Sequence, residues 1–262
     1  MQNAMFSGLF GALTAEHRMN FIANNLANVN TQGYKRDIMA FKDTMAHYAH
    51  DEIREPLMHL RSKNLFPEAQ NMARPRIAVS RTDFSQGSME FTGNPLDLAI
   101  SGENAFFRVN TPGGEMLTRN GHFVLSTNGT IVNTEGYALM GVAGPIVVPP
   151  NTRSVVIAGD GTVSCDGAGV GQVALVSVDD PQKLEKKGKN LYSARGNVTQ
   201  GNAYAAGSRV EQGFTEKANV EVVSEMVSMI EVQRQFEAYQ KVMQTADTLD
   251  RAANEKVGRR QG

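Results

Sequence analysis

The side chains best suited to chemistry lie at a few places along the chain, and none of them completes a mechanism. His47, His50, Asp51 and Glu52 gather imidazoles and carboxylates in one short stretch, a donor set that zinc accepts. Histidines at i and i+3 of a charged segment are usually solvated, however, so no metal site is expected. Gly167-Ala168-Gly169-Val170-Gly171 has the flexibility to approach a phosphate but lacks the strand, helix and downstream acid of a dinucleotide fingerprint. A β turn or loop is expected there. Ser101-Gly102 falls outside the nucleophile-elbow pattern. Asp160 and Asp166 each precede a glycine, as turn residues do, and paired acid and base work would need a proximity that their spacing does not impose. His122 is expected beside a hairpin strand. Cys165 has no histidine or basic cluster near it in sequence to activate it and reads as a half-buried β position. As the single cysteine it excludes an intramolecular disulfide and a cysteine-built zinc site. The expectation is therefore no enzyme, with no catalytic residue, no cofactor and no metal.

Bulk properties exclude further classes. The chain has 262 residues, room for one medium domain plus additional helices. Its 26 basic and 27 acidic residues give a net charge of −1, which argues against a nucleic-acid binder. No apolar run approaches the ~18 residues of a membrane-spanning helix, so no membrane insertion is expected. The opening MQNAMFSGLFGALTAEHRMN lacks the basic, apolar and small-residue regions of a cleaved signal peptide, and none is expected.

The elements that would position any site divide the chain into three zones, marked by glycine. None occurs between Gly33 and Gly87 or between Gly213 and Gly258, whereas the intervening stretch is rich in it. In the first zone Met5, Leu9, Ala12, Met19, Ala23 and Leu26 recur at helical spacing, predicting a helix from Gln2 to about Leu26. It runs into Asn24-Asn25-Leu26-Ala27-Asn28-Val29-Asn30-Thr31-Gln32-Gly33, whose asparagines and glycine favour a helix stop and a tight loop. Residues 37–75 are charged and read as a connector, helical in part. From about Arg76 to Gly213, short apolar runs alternate with the turn signals Pro112-Gly113-Gly114, Thr127-Asn128-Gly129, Glu135-Gly136, Asp160-Gly161 and Asp166-Gly167, predicting an antiparallel β domain. No long helical pattern separates these runs, which argues against a parallel βαβ sheet.

The last zone, about Asn219 to Asn254, reads as a long helix. Val222, Met226, Met229, Val232, Phe236, Tyr239, Met243 and Ala246 step by three or four, close to a coiled-coil seam. Such a helix is roughly 50 Å long, and burying about eight such side chains is worth roughly 12–24 kcal/mol gross. The N-terminal helix is the natural partner. A two-helix pair still leaves Val223, Val227, Ile230, Val242 and Leu249 on one helix, and Phe6, Phe10, Leu13, Phe21 and Ile22 on the other, outside the seam. Either neighbouring copies cover them or the pair packs on the β domain of a monomer. The fold class expected is mainly β with long terminal helices. Residues 1–36 and 214–262 form a terminal helical assembly domain, 37–75 a connector, and 76–213 an antiparallel β domain.

Four stretches carry a resemblance to a known family. The run from Ile22 to Arg36 resembles the N-terminal signature of bacterial flagellar rod and hook proteins. Gly87-Ser88-Met89-Glu90-Phe91-Thr92-Gly93-Asn94-Pro95-Leu96-Asp97-Leu98-Ala99-Ile100-Ser101-Gly102, Leu117-Thr118-Arg119-Asn120-Gly121-His122-Phe123, and Asn219 to Ile230 are similar to the same family, in matching order across almost the whole chain. The resemblance implies a structural subunit of the basal-body rod, the shaft crossing the periplasm, exported unfolded and without a cleaved signal through the flagellum's own apparatus. Its implied partners are other rod subunits, copies of itself and that export apparatus, with no nucleic acid and no small-molecule substrate. Thr245 to Glu255 looks more like proximal than distal rod subunits, and residues 37–75 lack the glycine of the insertion usual in distal ones. A distal rod or hook subunit, or a β-domain binding module or enzyme with incidental helices, are the alternatives. The assembly residues expected are Leu9, Leu13, Ile22, Asn24, Asn25, Leu26, Asn28 and Gly33, with Val222, Met226, Met229, Val232, Phe236, Tyr239, Met243 and Ala246.

Overall fold

The computed structural model describes residues 2–47, 71–102, 104–194 and 207–258. The chain divides into two compact units, one of Met1–Ala23, Met39–Ser80 and Met226–Gly262, the other of Asn24–Ile38 and Arg81–Glu225. A helix at each end, α1 (Gln2–Ala27) and α2 (Val222–Gly258), brackets the strands in sequence.

Of the stretch expected to be helical in part and an extended connector in the rest, the described residues are extended. Asp37–His47 forms strand β1 and Asn71–Thr82 forms β2, and the two pair. Pro75 removes the helical option at its own position. Pairing with a strand distant in sequence supplies the backbone partners that a weak local propensity could not specify. Residues 48–70 lie outside the described part, and with them Tyr48, His50, Asp51 and Glu52.

The β unit holds β3 (Met89–Phe91), β4 (Leu98–Ser101), β5 (Ala105–Thr111), β6 (Gly114–Thr118), β7 (Phe123–Leu125), β8 (Ile131–Asn133) and β9 (Ala138–Leu139). There follow β10 (Val155–Ile157), β11 (Thr162–Cys165), β12 (Ala168–Gln172), β13 (Leu175–Ser177), β14 (Leu184–Gly188), β15 (Leu191–Ala194), β16 (Arg209–Gln212) and β17 (Phe214–Glu216). The largest sheet runs β14-β15-β6-β5-β9-β8-β7, with β13 also on β5; β10-β11-β12 form a second sheet, and β16-β4 and β17-β3 form two ribbons. Every one of these pairings is antiparallel.

The expected turns fall between paired strands. Pro112-Gly113 joins β5 to β6 with Thr111 opposite Gly114, and Thr127-Asn128-Gly129 joins β7 to β8 with Leu125 opposite Ile131. Glu135-Gly136 links β8 to β9, Asp160-Gly161 precedes β11, and Asp166-Gly167 joins β11 to β12. Buried Asn133 fixes one of these corners, its Oδ1 accepting from the Glu135 and Tyr137 amides at 3.0 and 2.8 Å, the Asx device by which a side chain replaces a turn hydrogen bond.

The core follows from β5, which is covered on both faces. Phe107 and Val109 point into one cluster with Leu98, Ile100, Phe123, Ile131 and Val163, while Phe106 enters another with Phe84, Leu117, Val176 and Tyr192. Phe107 and Phe123 meet edge to face at 5.5 Å, a geometry favoured by the ring quadrupoles. Cys165 belongs to the first cluster and is fully rather than half buried.

Candidate functional site

The helical unit presents a face made by a mismatch of residue size. Helix α1 buries Gly8, Gly11, Ala12 and Ala15, a stripe at i, i+3, i+4 and i+7 composed of the smallest side chains. The helix pair explains this choice. A Cβ on Gly11 would lie 2.4 Å from the ring of Tyr239 and one on Gly8 2.9 Å from Met243, so α2 lies where larger residues would stand. Arg18 Nη1 donates to Gln235 Oε1 at 3.4 Å. Numbers rise along α1 as they fall along α2, so the two run antiparallel.

The seam expected for α1 is therefore corrected. It put Leu9 in line with Ala12, yet the structure turns Ala12 inward and leaves Leu9 43% exposed. Hydrophobicity marked the large residues, whereas close helix approach selects the small ones. Met5, Phe6, Leu9 and Leu13 are exposed on α1, as are Met226, Val227, Ile230, Tyr239, Val242 and Leu249 on α2. Of the expected seam on α2, Val232 and Ala246 are buried, Val222, Met229, Phe236 and Met243 are half-buried, and Met226 and Tyr239 are exposed. An apolar groove of about 450 Å³ lies along α2 between Ala238, Val242, Thr245, Ala246 and Leu249. Ile22 on α1 is half-buried.

In the β unit the asparagines act as both helix stop and clamp. The Asn28 backbone and side-chain N–H groups both donate to the Asn24 carbonyl, at 3.2 and 2.9 Å, closing the last turn of α1. Asn25 is buried and binds the backbone of Asp37 twice: its Nδ2 donates to the carbonyl and its Oδ1 accepts from the amide, both at 3.0 Å. The same Oδ1 accepts from the Tyr34 hydroxyl at 3.1 Å. Burial, with Asp37 and Glu225 adding negative potential, pushes that phenol up to about 12. Asn24 is exposed and Leu26 half-buried. Gly33 sits at φ +67°, and a Cβ there would fall 2.4 Å from the Arg119 carbonyl carbon. Only glycine meets both conditions.

Beyond Gly33 lies a buried charge cluster. Lys35 Nζ donates to Glu216 Oε1 and to the Ser85 carbonyl, each at 2.6 Å. Glu216 Oε1 also accepts from the Gly87 amide at 2.9 Å, while Oε2 faces Arg119 Nη1 at 3.3 Å. Arg119 Nη2 donates to the Gly102 carbonyl at 2.8 Å, and its guanidinium lies 5.3 Å from the Phe106 ring centre. All three charged side chains are within 1% of complete burial. Burial holds the Lys35 ammonium below its usual range, with Glu216 opposing that shift. Asn219 ties the rest: its Oδ1 accepts from the Arg36 amide and its Nδ2 donates to the Asp83 carbonyl, both at 2.8 Å. Every stretch that carries the resemblance thus reaches this cluster or its rim.

Lys35, Arg119, Glu216 and Asn219 were not singled out by residue type or spacing. The signal available was two cations inside apolar or turn-rich motifs, at Gly33-Tyr34-Lys35 and Leu117-Thr118-Arg119. The residues considered for chemistry do not converge. His122 Nδ1 contacts Asp97 Oδ1 at 2.7 Å at the start of β7. Asp160 and Asp166 stand at opposite ends of β11, each accepting backbone N–H bonds, from Thr162 in one case and from Arg153 and Ser154 in the other. Gly167 lies in the hairpin turn and Gly169 and Gly171 in β12. Ser101 ends β4.

Comparison with known proteins places these segments. The family described as "Flagella basal body rod protein" matches residues 11–35, "Flagellar hook protein FlgE/F/G D1 domain" matches 99–165, and "Flagellar basal body rod FlgEFG protein C-terminal" matches 211–256. The chain is 32% identical over 260 residues to the flagellar basal-body rod protein FlgF of Caulobacter vibrioides, covering 99% of both chains. It is 31% identical over 266 residues to the rod protein FlgG of Bacillus subtilis, covering 95% of this chain and 97% of that one. To the FlgF of Mesorhizobium japonicum it is 29% identical over 258 residues, covering 96% and 97%.

Proposed function

We propose that this chain, which belongs to the flagellar basal-body rod protein family, polymerises through its two terminal helices as a subunit of the proximal rod. Its role is that of a structural rod subunit, and its place is the flagellar basal body. The observation that carries the mechanism is the row of large apolar side chains exposed on both helices: Met5, Phe6, Leu9 and Leu13 on α1, with Met226, Val227, Ile230, Val242 and Leu249 on α2. Apolar side chains repeated along two antiparallel helices favour burial against like helices. In this reading α1 and α2 form a coiled-coil-like pair that packs on the pairs of adjacent subunits to build the inner wall of a tube. The β unit supplies lateral contacts between subunits. Contacts that join different faces of successive subunits grow a helical filament when they do not close, and torque passes through the packed side chains.

The subunit reaches the rod unfolded through the flagellar export apparatus and performs no catalysis. The proximal position rests on the sequence of the final helix and on the glycine-free stretch from residue 37 to residue 75. Deleting the gene and imaging isolated basal bodies tests it. Arrest before any distal rod is the expected result, whereas a complete rod lacking only its hook overturns the proximal placement.

A further inference from the structure

We propose that Glu216 is a latch joining the chain's two ends, so that the asparagine turn after α1 becomes ordered only when the return strand β17 has docked. Charge sets this order. Lys35 and Arg119 are both essentially fully buried, and the Glu216 carboxylate between them contacts one with each oxygen. Removing a cation from water costs several kcal/mol, repaid only when a counter-charge and further hydrogen bonds are in place. Before Glu216 arrives, closing this pocket would bring two like charges into a low-dielectric site, so the pocket stays open.

Glu216 arrives late in sequence, 181 positions after Lys35 and 97 after Arg119. It comes on a strand of three residues whose partner is β3, with Glu216 opposite Met89. The backbone makes the same connection: the Gly33 amide donates to the Glu216 carbonyl at 2.7 Å, and the Lys217 amide to the Ser88 carbonyl at 2.9 Å. Lys35 follows the end of α1 by eight residues and Glu216 precedes the start of α2 by six. The latch therefore holds together the roots of the two helices. A chain whose C-terminal part has not yet emerged keeps its N-terminal signature open, a state suited to passage in extended form.

The turn also contains a control. The Tyr34 amide donates to the Thr31 carbonyl at 3.3 Å and the Asp37 amide to Asn25 Oδ1 at 3.0 Å. Both acceptors belong to the turn segment itself, no more than 12 positions before their donors, so a turn that formed unaided would protect these amides before the return strand docks. Under the latch they become protected only together with Lys217.

Pulsed hydrogen exchange during refolding of the full-length chain from urea, read residue by residue, tests this. Tyr34, Asp37 and Lys217 are expected to gain protection in one phase. Protection of Tyr34 and Asp37 in an earlier phase than Lys217 overturns the latch. In the native state, Glu216→Gln keeps the shape and removes the charge, and exchange at Tyr34 and Asp37 is expected to rise at least ten-fold while Phe107 and Val109 are unchanged. Adding Lys35→Met to that variant removes one of the two cations that Glu216 neutralises and is expected to restore part of the protection. If Glu216→Gln leaves exchange at the turn unchanged, or if the double variant fares no better than the single one, the latch is refuted.

Discussion

Replacing Leu9 and Leu13 together by glutamine separates assembly from folding. The substitution keeps helix propensity nearly constant and acts on side chains that are 43% and 42% exposed in the single chain. Full burial of a leucine is worth about 2 kcal/mol, so covering the remaining two-fifths contributes about 1 kcal/mol each, or about 2 kcal/mol for the pair. That corresponds to association weakened roughly 30-fold at each subunit interface the two leucines line. On a helix surface, neighbours at i±3 and i±4 shield part of each side chain whether or not a partner is present. The unfolding free energy should therefore change by less than about 1 kcal/mol. Urea unfolding of the purified chain and quantification of the variant in isolated basal bodies read the two effects. Val232→Ala is the contrasting control: that residue is 1% exposed, and its truncation should cost about 1–3 kcal/mol of stability. If the double glutamine variant is as destabilised as Val232→Ala, or enters the rod at normal levels, the exposed leucines are not assembly contacts.

Three further substitutions and treatments probe individual side chains. Gly11→Ala places a methyl 2.4 Å from the Tyr239 ring and should destabilise the helix pair by about 1–3 kcal/mol, the range for overpacking, with partial recovery on adding Tyr239→Ala. Far-UV circular dichroism during thermal unfolding measures both. Tyr34 has a phenol raised from 10.0 to about 12, so the folded state holds its proton more tightly than the unfolded one. That contribution is complete below pH 10 and is lost as pH rises to 12, at about 1.4 kcal/mol per pH unit. Tyr34→Phe should lessen the fall in stability between pH 10 and pH 11, as urea titrations at the two values would measure. Cys165 is buried, and that burial pushes its thiol up. Iodoacetamide at pH 8 should label it at least ten-fold more slowly in the native chain than in urea, as intact-mass spectrometry would follow.

Local features set much of this architecture, and the sequence alone was enough for them. The terminal helices follow from apolar spacing of three and four with no proline to interrupt it. The β unit follows from turn pairs such as Asn128-Gly129 and Asp166-Gly167, whose positive-φ requirement is met by the residues themselves. Such signals are short-range, and the chain need only satisfy its own neighbours to express them. The structure alone decided which side of α1 turns inward. Hydropathy ranks Leu9 above Gly8 and Gly11, but the Tyr239 ring fits only against Gly11 and the Met243 side chain against Gly8. It also decided that Asp37–His47 and Asn71–Thr82 are strands, because a strand of weak propensity is stabilised by its partner rather than by its own residues. Periodicity marks the helical ends as expected places of assembly. Their shared root at Lys35, Arg119 and Glu216 could not emerge that way, since a charge becomes buried only where distant segments meet to neutralise it.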